Sequence, residues 1–423
     1  MSAATRAETV QPASVAANAR ALFALQMANY AIPVIILPFL IARLGTAAYG
    51  VMATAYATVM ILVLLIDAGF NTLATREIAR GRQDPSRVLQ VYAATQWLRA
   101  AIAIVGSLTL VVLVYTVPAL TENAAVYLAT FMIVLGTFLF PTWLFQGLQI
   151  MHMTTICAVS GRIFVSVLIF LLIDSPDDLV LAAFLQASGT AVAGFVAHMT
   201  TIKRLGMRFF LPPAEVIPIV KNVLREVRFL TPSEFAMNVA NNSTVFMLSL
   251  LASESLVGIY AAMEKIAKAV ASGFQPIIRA LYPYISERAL QDRTSATRIA
   301  RRWVLGTSLA VILAAVVMVV VARPVTDLLF GSEMSAFSWI LQCLQVWIVC
   351  HIIVTAYGQL AVMALGQTRR FSQSLVLGAV VQIIATCVLA YYFSVTGLIA
   401  ALVIGEVVKM LAYRFSSSLQ ESR

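Results

Sequence analysis

The stretch "WVLGTSLAVILAAVVMVVVA", residues 303–322, contains twenty residues and no acid or base. At a rise of about 1.5 Å per residue, a helix of this length is about 30 Å long, which matches the hydrocarbon core of a bilayer. Hydrophobic residues make up 61% of the whole chain and charged residues 11%. Soluble domains are about half apolar and about a quarter charged. The composition therefore predicts that lipid surrounds most of this chain.

Further apolar runs divide the 423 residues into twelve predicted transmembrane helices. Their limits are 21–44, 46–71, 99–117, 124–146, 156–173, 179–202, 228–251, 257–285, 303–322, 338–364, 372–394 and 395–415. No long polar segment separates them, so the sequence predicts an all-α polytopic membrane protein. We assign an N-tail, a first lobe of six helices, a linker, a second lobe of six helices and a C-tail at 1–20, 21–202, 203–227, 228–415 and 416–423.

Arginine and lysine are concentrated in every second connection. The second, sixth and eighth connections carry most of them: Arg76, Arg80, Arg82, Arg87, Arg99, Lys203, Arg204, Arg208, Lys221, Arg225, Arg228, Arg288, Arg293, Arg298, Arg301 and Arg302. The odd-numbered connections carry little beyond Arg43 and Arg323. This alternation is the positive-inside pattern, which predicts cytoplasmic N- and C-termini. The net charge of +10 is then a topology signal, and no nucleic-acid partner is expected.

The segment "YAAMEKIAKAV" (260–270) places three charges within an apolar stretch. At about 100° per residue, one helix face collects Glu264, Lys268, Ser272, Gln275 and Arg279, with Lys265 at its edge. Such a face is predicted to line a bundle interior or a water-filled cavity. Two interpretations stay open. The cations bind a substrate, or Glu264 and Lys268 form an internal salt bridge while Arg279 snorkels.

Two other predicted helices carry polar faces. The polar residues of the first are Gln26, Asn29 and Tyr30, and those of the seventh are Glu234, Asn238, Asn241 and Asn242. These faces are candidates for contact with substrate hydroxyls, and interhelical hydrogen bonding is the alternative.

Ionisable residues inside the other predicted helices receive separate interpretations. Glu406 is a candidate for proton or cation coupling, or else part of a buried structural pair. Lys409 and Arg162 are expected to snorkel to the cytoplasmic side. The scattered histidines, His152, His198 and His351, are given no chemical role, and the cysteines resemble buried hydrophobes. No cofactor or metal is expected.

Five segments resemble the lipid-linked oligosaccharide flippases of the Wzx type. They are "IPVIILPFLIARLGTAAYG" (32–50), "DAGFNTLATREIAR" (67–80), "VGIYAAMEKIAKAV" (257–270), "PIIRALYPYIS" (276–286) and "GQLAVMALGQTRRF" (358–371). The resemblance covers nearly the whole chain. The positions that match family motif residues are Arg43, Asp67, Arg76, Glu77, Tyr260, Lys265 and Pro283. Many members have an acid where this chain has Thr244, so a coupling role of that acid would here fall to Glu234 or Glu406.

This resemblance implies the multidrug/oligosaccharidyl-lipid/polysaccharide exporter fold, in which two six-helix lobes form a V around a central cavity. The implied substrate is an oligosaccharide on a polyprenyl pyrophosphate. Alternating access would move it from the cytoplasmic to the periplasmic leaflet of the bacterial inner membrane, for O-antigen or other surface polysaccharide. A proton or ion gradient of unknown identity is a possible driving force. Arg43, Asp67, Arg76, Glu77 and Glu264 are then candidates for gating or coupling, although Glu77 and Arg80 could simply pair. Other membrane proteins of polysaccharide assembly are possible partners.

Three other functions compete with this interpretation. The first is export of drugs or small cations by the same fold, which should place acids and aromatics in the cavity. The second is flipping of a peptidoglycan precursor, for which related proteins often have more than twelve helices. The third is a membrane-embedded glycosyltransferase or polymerase. The sequence contains no Gly-x-Ser-x-Gly or His-Glu-x-x-His motif, so we do not expect an enzyme.

Overall fold

The structure is a computed structural model that describes residues 15–67, 70–205, 236, 238–240 and 242–418. Every element of secondary structure assigned in these ranges is helical, which confirms the predicted all-α class. The helices of the first half are α1 (Val15–Asp67), α2 (Phe70–Arg80), α3 (Pro85–Thr116), α4 (Pro118–Thr121), α5 (Ala124–Thr130), α6 (Met132–Leu139), α7 (Thr142–Gly147), α8 (Met151–Leu172) and α9 (Leu179–Leu205).

The second half continues in the same way. Residues 242–249 are helical. The helices that follow are α10 (Glu254–Ser272), α11 (Gln275–Gln291), α12 (Arg293–Phe330), α13 (Ser332–Ser335), α14 (Ser338–Ala356), a π-helical segment (Tyr357–Met363) and α15 (Thr368–Ser418).

Eight helical stretches in the described ranges are long and apolar enough to cross a membrane. Phe23–Arg80 contains the first two predicted spans, and the backbone leaves helical geometry at Gly45, where φ is 83°. Thr368–Arg414 contains the last two, with a similar break at Ser394. Glycine suits the first break because it has no β-carbon to oppose a positive φ. The count of twelve stays a prediction, since most of 228–251 lies outside the described residues.

The chain separates into two compact units. The first unit comprises Met1–Leu44 and Ala55–Phe235, and the second comprises Gly45–Thr54 and Ala236–Arg423. The short segment Gly45–Thr54 therefore packs with the second unit, although it lies in the first half of the sequence. The predicted linker at 203–227 falls mostly on residues that the structure does not describe.

The predicted eighth helix, 257–285, is wrong as a single helix. The structure has α10 ending at Ser272 and α11 beginning at Gln275. Pro276 in the first turn of α11 explains the break, because it has no N–H to donate to the carbonyl of Ser272. The face predicted from Glu264 to Arg279 is thus divided between two helices.

Local sequence signals fix where several helices begin. The Asp84 carboxylate accepts hydrogen bonds from the backbone N–H groups of Ser86 and Arg87, and Pro85 occupies the first turn of α3. The Asp292 carboxylate caps α12 in the same way, through Thr294 and Ser295. A side-chain oxygen at this position satisfies N–H groups that have no partner within the helix.

A close crossing joins the segment Gly45–Thr54 to α10. A β-carbon at Gly50 would overlap the backbone of Glu254, and one at Gly258 would overlap the backbone of Thr46. The Thr46 and Ser255 hydroxyls share a hydrogen bond of 2.7 Å beside this crossing. Small residues let membrane helices approach closely where no hydrophobic force drives them together. This crossing positions Tyr49 for the contact described below.

Gly258→Leu is expected to destabilise the second unit by about 2 kcal/mol, because the added side chain has no room between two backbones. The measurement is the melting temperature of the purified protein in detergent, together with its amount in the membrane. Gly306→Leu is the matched control, since a β-carbon at Gly306 meets no atom within 4 Å. Equal melting temperatures for the two variants would contradict the crossing.

Candidate functional site

Glu264 is the centre of a buried polar group on α10. Its Oε1 accepts a hydrogen bond of 2.9 Å from the Thr244 hydroxyl and lies 3.5 Å from the Tyr260 hydroxyl. Its Oε2 lies 3.1 Å from Nζ of Lys268. One turn of helix separates Glu264 from Lys268, so the predicted salt bridge forms along a single helix. A third of the Lys268 side chain, 33%, stays exposed.

Lys265 is held by a residue from far away in the sequence. Its Nζ donates a hydrogen bond of 3.0 Å to the Tyr49 hydroxyl and lies 5.6 Å from the centre of the Tyr49 ring. Tyr49 is buried within the segment that crosses α10 at Gly258. An ammonium group can therefore be kept inside this unit through a hydroxyl and an aromatic ring. Glu264, Lys265 and Lys268 together carry a formal charge of +1, from two lysines and one glutamate.

The other residues of the predicted cationic face lie differently. Arg279 is exposed on α11, beyond the break that follows Ser272. Pro283, which matches a family motif, lies inside α11. The structure therefore places the lysines on α10 and the arginine on the following helix.

The polar face of the predicted seventh helix is described only in part. Asn242 donates a hydrogen bond of 2.8 Å to the backbone oxygen of Asn238, and both side chains are partly buried. Gln382 donates to the backbone oxygen of Ala240 at 2.9 Å. The Asn242 bond lies within one helix, and the contact with another helix uses the backbone of Ala240, so both interpretations of the asparagines stay open. Glu234 and Asn241 lie outside the described residues.

In the first unit, the polar face of α1 is joined by an arginine. Gln26, Asn29 and Tyr30 are each partly buried, and the Arg162 guanidinium on α8 donates a hydrogen bond to the Asn29 side chain. The prediction that Arg162 snorkels is wrong, because its guanidinium is directed at another helix. The first unit thus holds a cation beside amide and phenol groups.

Asp67 forms a salt bridge with Arg99, a buried residue that the sequence analysis assigned to the second connection. Nη2 of Arg99 lies 2.9 Å from Oδ1 of Asp67 and 2.7 Å from the backbone oxygen of Thr137. Only 1% of the Arg99 side chain is exposed. The predicted third helix began at Arg99, whereas α3 begins at Pro85, so this arginine lies well within a helix. Arg43 is exposed, with its guanidinium 5.6 Å from the centre of the Phe39 ring.

Glu77 on α2 forms salt bridges with three arginines. Its carboxylate lies 3.7 Å from Arg76, 3.3 Å from Arg80 and 3.1 Å from Arg87. Arg80 and Arg87 are largely exposed, so solvent screens these pairs and each contributes little to stability. The pairing of Glu77 with Arg80 occurs as the simpler interpretation expected.

Glu406 belongs to a buried group of three ionisable side chains. Its Oε1 lies 2.8 Å from Nδ1 of His351 on α14 and 2.9 Å from Nζ of Lys409. Lys409 is almost fully buried, so the prediction that it snorkels is wrong. A partner on the same helix explains this, because the salt bridge replaces the hydration that snorkelling would provide. Sequence reasoning missed His351, since no spacing rule links residues 55 positions apart on different helices.

The ionisable side chains of the site occur mostly as pairs of one carboxylate and one cation. Among the described residues, no group of three or more His, Cys, Asp or Glu side chains could hold a metal ion. Two buried carboxylates, Glu264 and Glu406, and one partly buried carboxylate, Asp67, are each paired with a cation.

Comparison with known proteins gives a family and a fold. The family described as "Polysaccharide biosynthesis protein" matches residues 15–288, which is more than half of the chain. A protein of Shigella dysenteriae described as "Putative O-antigen transporter" is 26% identical over 401 residues, covering 93% of this chain and 98% of that one.

Two solved structures show the same fold. One is titled "Lipid II flippase MurJ, inward closed conformation", with a TM-score of 0.67 and 13% identity over 95% of this chain and 87% of that chain. The other is an inward-facing multidrug resistance MATE family transporter of the MOP superfamily, with a TM-score of 0.61 and 14% identity over 93% and 98% of the two chains. The chain thus has the fold of MOP-superfamily transporters.

Glu264→Gln is expected to lower the stability of the protein by about 2 kcal/mol, because it leaves Lys268 without its carboxylate. Combining it with Lys268→Gln should recover part of this loss, which a double-mutant cycle of melting temperatures measures. Glu287→Gln, at an exposed position on α11, is the matched control and should change stability by less than about 0.5 kcal/mol. Strictly additive effects of the two substitutions would argue against the buried pair.

Proposed function

Because the chain belongs to the polysaccharide biosynthesis protein family, we propose that it is a flippase for a polyprenyl-pyrophosphate-linked oligosaccharide repeat unit. The unit moves by alternating access from the cytoplasmic to the periplasmic leaflet of the inner membrane, where it serves the assembly of O-antigen or another surface polysaccharide. The name of the Shigella dysenteriae relative and the fold shared with a lipid II flippase support this proposal. The protein acts as a transporter and not as an enzyme, with both termini in the cytoplasm.

The observation that carries the proposal is the cationic part of α10. The substrate headgroup is anionic, and one charge at the centre of a bilayer costs several kcal/mol or more. Lys265 and Lys268 lie on α10, whose other side chains are mostly buried, and one carboxylate, Glu264, pairs with Lys268. A net positive, partly exposed site of this kind reduces the cost of moving a pyrophosphate.

Lysine suits transport better than a rigid binding group would. An ammonium attracts phosphate as a point charge without fixed geometry, whereas an arginine guanidinium binds phosphate through two parallel hydrogen bonds. Lys265 also has an alternative partner, because its ammonium can donate to the Tyr49 hydroxyl again when substrate leaves. Weak, exchangeable contacts favour release on the far side of the membrane.

Polar groups elsewhere in each unit are proposed to meet the sugars. In the first unit these are Gln26, Asn29 and Tyr30, with Arg162 as an additional cation beside Asn29. In the second unit they are Asn238, Asn241 and Asn242. Arg279 at the membrane edge would attract the headgroup. Amide and phenol groups form hydrogen bonds with hydroxyls that are easily exchanged for water.

Gating and coupling are proposed for the ionisable residues outside this face. Arg43, Asp67, Arg76 and Glu77 match family motif positions, and Glu77 with its arginines would stabilise one conformation of the cytoplasmic side. A proton or ion gradient would supply the driving force through Glu406 or Glu234. Other membrane proteins of polysaccharide assembly are the proposed partners.

Export of drugs or small cations is the second candidate, because a MATE family transporter shares the fold. A cation exporter needs a negative binding surface. α10 is neutral as a whole because Glu254 lies in its first turn, but the part that follows is net positive, since Lys265 and Lys268 outnumber Glu264 there. This polarity favours an anionic substrate.

Lys265→Ala and Lys268→Ala are each expected to lower transport roughly tenfold, the value of one charge-assisted contact of about 1.4 kcal/mol. Both variants should still insert and accumulate. The measurement is the amount of surface polysaccharide in cells that carry each variant in place of the wild type, normalised to protein in the membrane. Lys203→Ala, an exposed lysine at the end of α9, is the control. Normal polysaccharide in both α10 variants would remove the basis for the cationic site.

Cells that lack the protein are expected to trap a completed lipid-linked repeat unit in the cytoplasmic leaflet. Extraction of the lipid-linked intermediates identifies the unit, and a membrane-impermeant reagent that oxidises sugars reports its leaflet. Restoring the wild-type gene should clear the intermediate. A protected, complete unit supports a flippase. Single units that accumulate in the outer leaflet would instead indicate a polymerase, and an absence of any trapped unit would indicate another kind of substrate.

A further inference from the structure

Two ionisable side chains, His351 and Lys409, contact one carboxylate oxygen of a third, Glu406. Both His351 Nδ1, at 2.8 Å, and Lys409 Nζ, at 2.9 Å, contact Oε1 of Glu406. Glu406 and Lys409 are almost fully buried, while 22% of the His351 side chain is open. Intramembrane groups of this kind are rare because they are costly, and they often mark proton or ion pathways.

The protonation states follow from these contacts. Lys409 favours the ionised form of Glu406, because an ammonium in contact with a carboxylate stabilises its negative charge. Nδ1 of His351 must then donate its hydrogen to the carboxylate, and Nε2 is left with a lone pair. Uptake of one proton at Nε2 forms no bond other than N–H and breaks none in the protein. The group as a whole changes from a charge of zero to a charge of +1.

The other side chains near Glu406 are not expected to take up a proton in place of His351. Beside the pair lie Cys350 on α14 and Tyr413 on α15, whose ring contacts Tyr357 of the π-helical segment. A thiol and phenols stay neutral near pH 7. The helices α10 and α12 also pack on α14. Of the charged residues of α10, Lys265 bonds Tyr49, and Lys268 pairs with Glu264.

The backbone near His351 and Lys409 has a π-helical segment and two glycines that leave space for neighbouring side chains. The chain changes from α-helix to π-helix at Tyr357, six residues after His351, and π-helical segments are frequent at functional sites. Gly358 in this segment leaves room for the Tyr413 ring, and Gly378 leaves room for the Lys409 stem. A side chain at Gly378 would displace the lysine from the carboxylate.

We infer that His351, Glu406 and Lys409 form a proton-binding site, in which Nε2 of His351 takes up the proton that drives transport. This inference rests on the proposed function and names its driving ion. A charge of +1 is less costly where water reaches the imidazole than where the site is closed. Protonation therefore shifts the population toward the conformation in which His351 is hydrated, and release of the proton on the other side shifts it back.

The first test measures proton binding without substrate. Purified wild-type protein in detergent is titrated between about pH 5 and pH 8, where histidine ordinarily changes charge. His351→Asn is expected to bind about one proton fewer over this range, because an amide can donate to Glu406 from the position of Nδ1 but cannot be protonated. His351→Gln is the second variant, used if the first does not fold. An unchanged proton count in the folded variant would overturn the site.

The second test measures transport in vesicles that contain a fluorescent polyprenyl-pyrophosphate sugar. The readout is the ratio of flipping rates with and without an imposed pH gradient. This ratio should exceed one for the wild type, fall to about one for His351→Asn, and keep the wild-type value for His198→Asn, which removes the buried histidine of α9. An equal ratio in the wild type and His351→Asn would overturn the coupling.

The two tests separate this inference from the proposed function. A wild type that flips the lipid at the same rate with and without a gradient would leave the flippase intact and remove the proton as its driving ion. A wild type that does not flip the lipid would remove the flippase, and the proton titration alone would then decide whether His351 binds a proton.

Discussion

The absence of water in a bilayer is the constraint on which this structure depends. A carboxylate in hydrocarbon has no solvent to stabilise it, so each buried one needs a cation and further hydrogen bonds nearby. Asp67 is paired with Arg99, Glu264 with Lys268 and Glu406 with Lys409. Breaking such a pair leaves a single charge in a medium where it costs far more than at a protein surface. Two of these pairs lie within one helix, whereas the pair of Asp67 and Arg99 also joins α1 to α3.

Each of these pairs also has a third polar partner, and the chemistry of that partner separates their roles. Glu264 is bonded by a hydroxyl from Thr244, which keeps its proton at every physiological pH. Asp67 shares its arginine with the backbone oxygen of Thr137, which has no proton to exchange. Glu406 is bonded by an imidazole. Of these three partners, only the imidazole has a second ring nitrogen that can accept a proton.

The sequence predicts well the features that depend on one helix alone, namely its apolar length and the contacts between its own side chains. Apolar runs such as 303–322 define spans, and a spacing of four residues places Lys268 beside Glu264. Partners on other helices, such as Tyr49 for Lys265 and His351 for Glu406, depend on how helices pack, and one sequence carries no signal for that. The snorkelling predictions for Lys409 and Arg162 failed for the same reason. The rule considers only the distance to a helix end, whereas a nearby Glu406 or Asn29 provides a closer partner.

Many of the flippases that this chain resembles have an acid at the position of Thr244. In this structure a carboxylate is present beside that position, although it belongs to another residue. The Thr244 hydroxyl donates to Glu264, so a carboxylate occupies this place from the neighbouring helix. This carboxylate also contacts Nζ of Lys268 and the Tyr260 hydroxyl, so it holds one of the two lysines of α10 in place. In the proposed mechanism two carboxylates therefore have separate tasks. Glu264 positions Lys268, and Glu406, the only carboxylate bonded to a histidine in the described residues, holds the imidazole that takes up the proton.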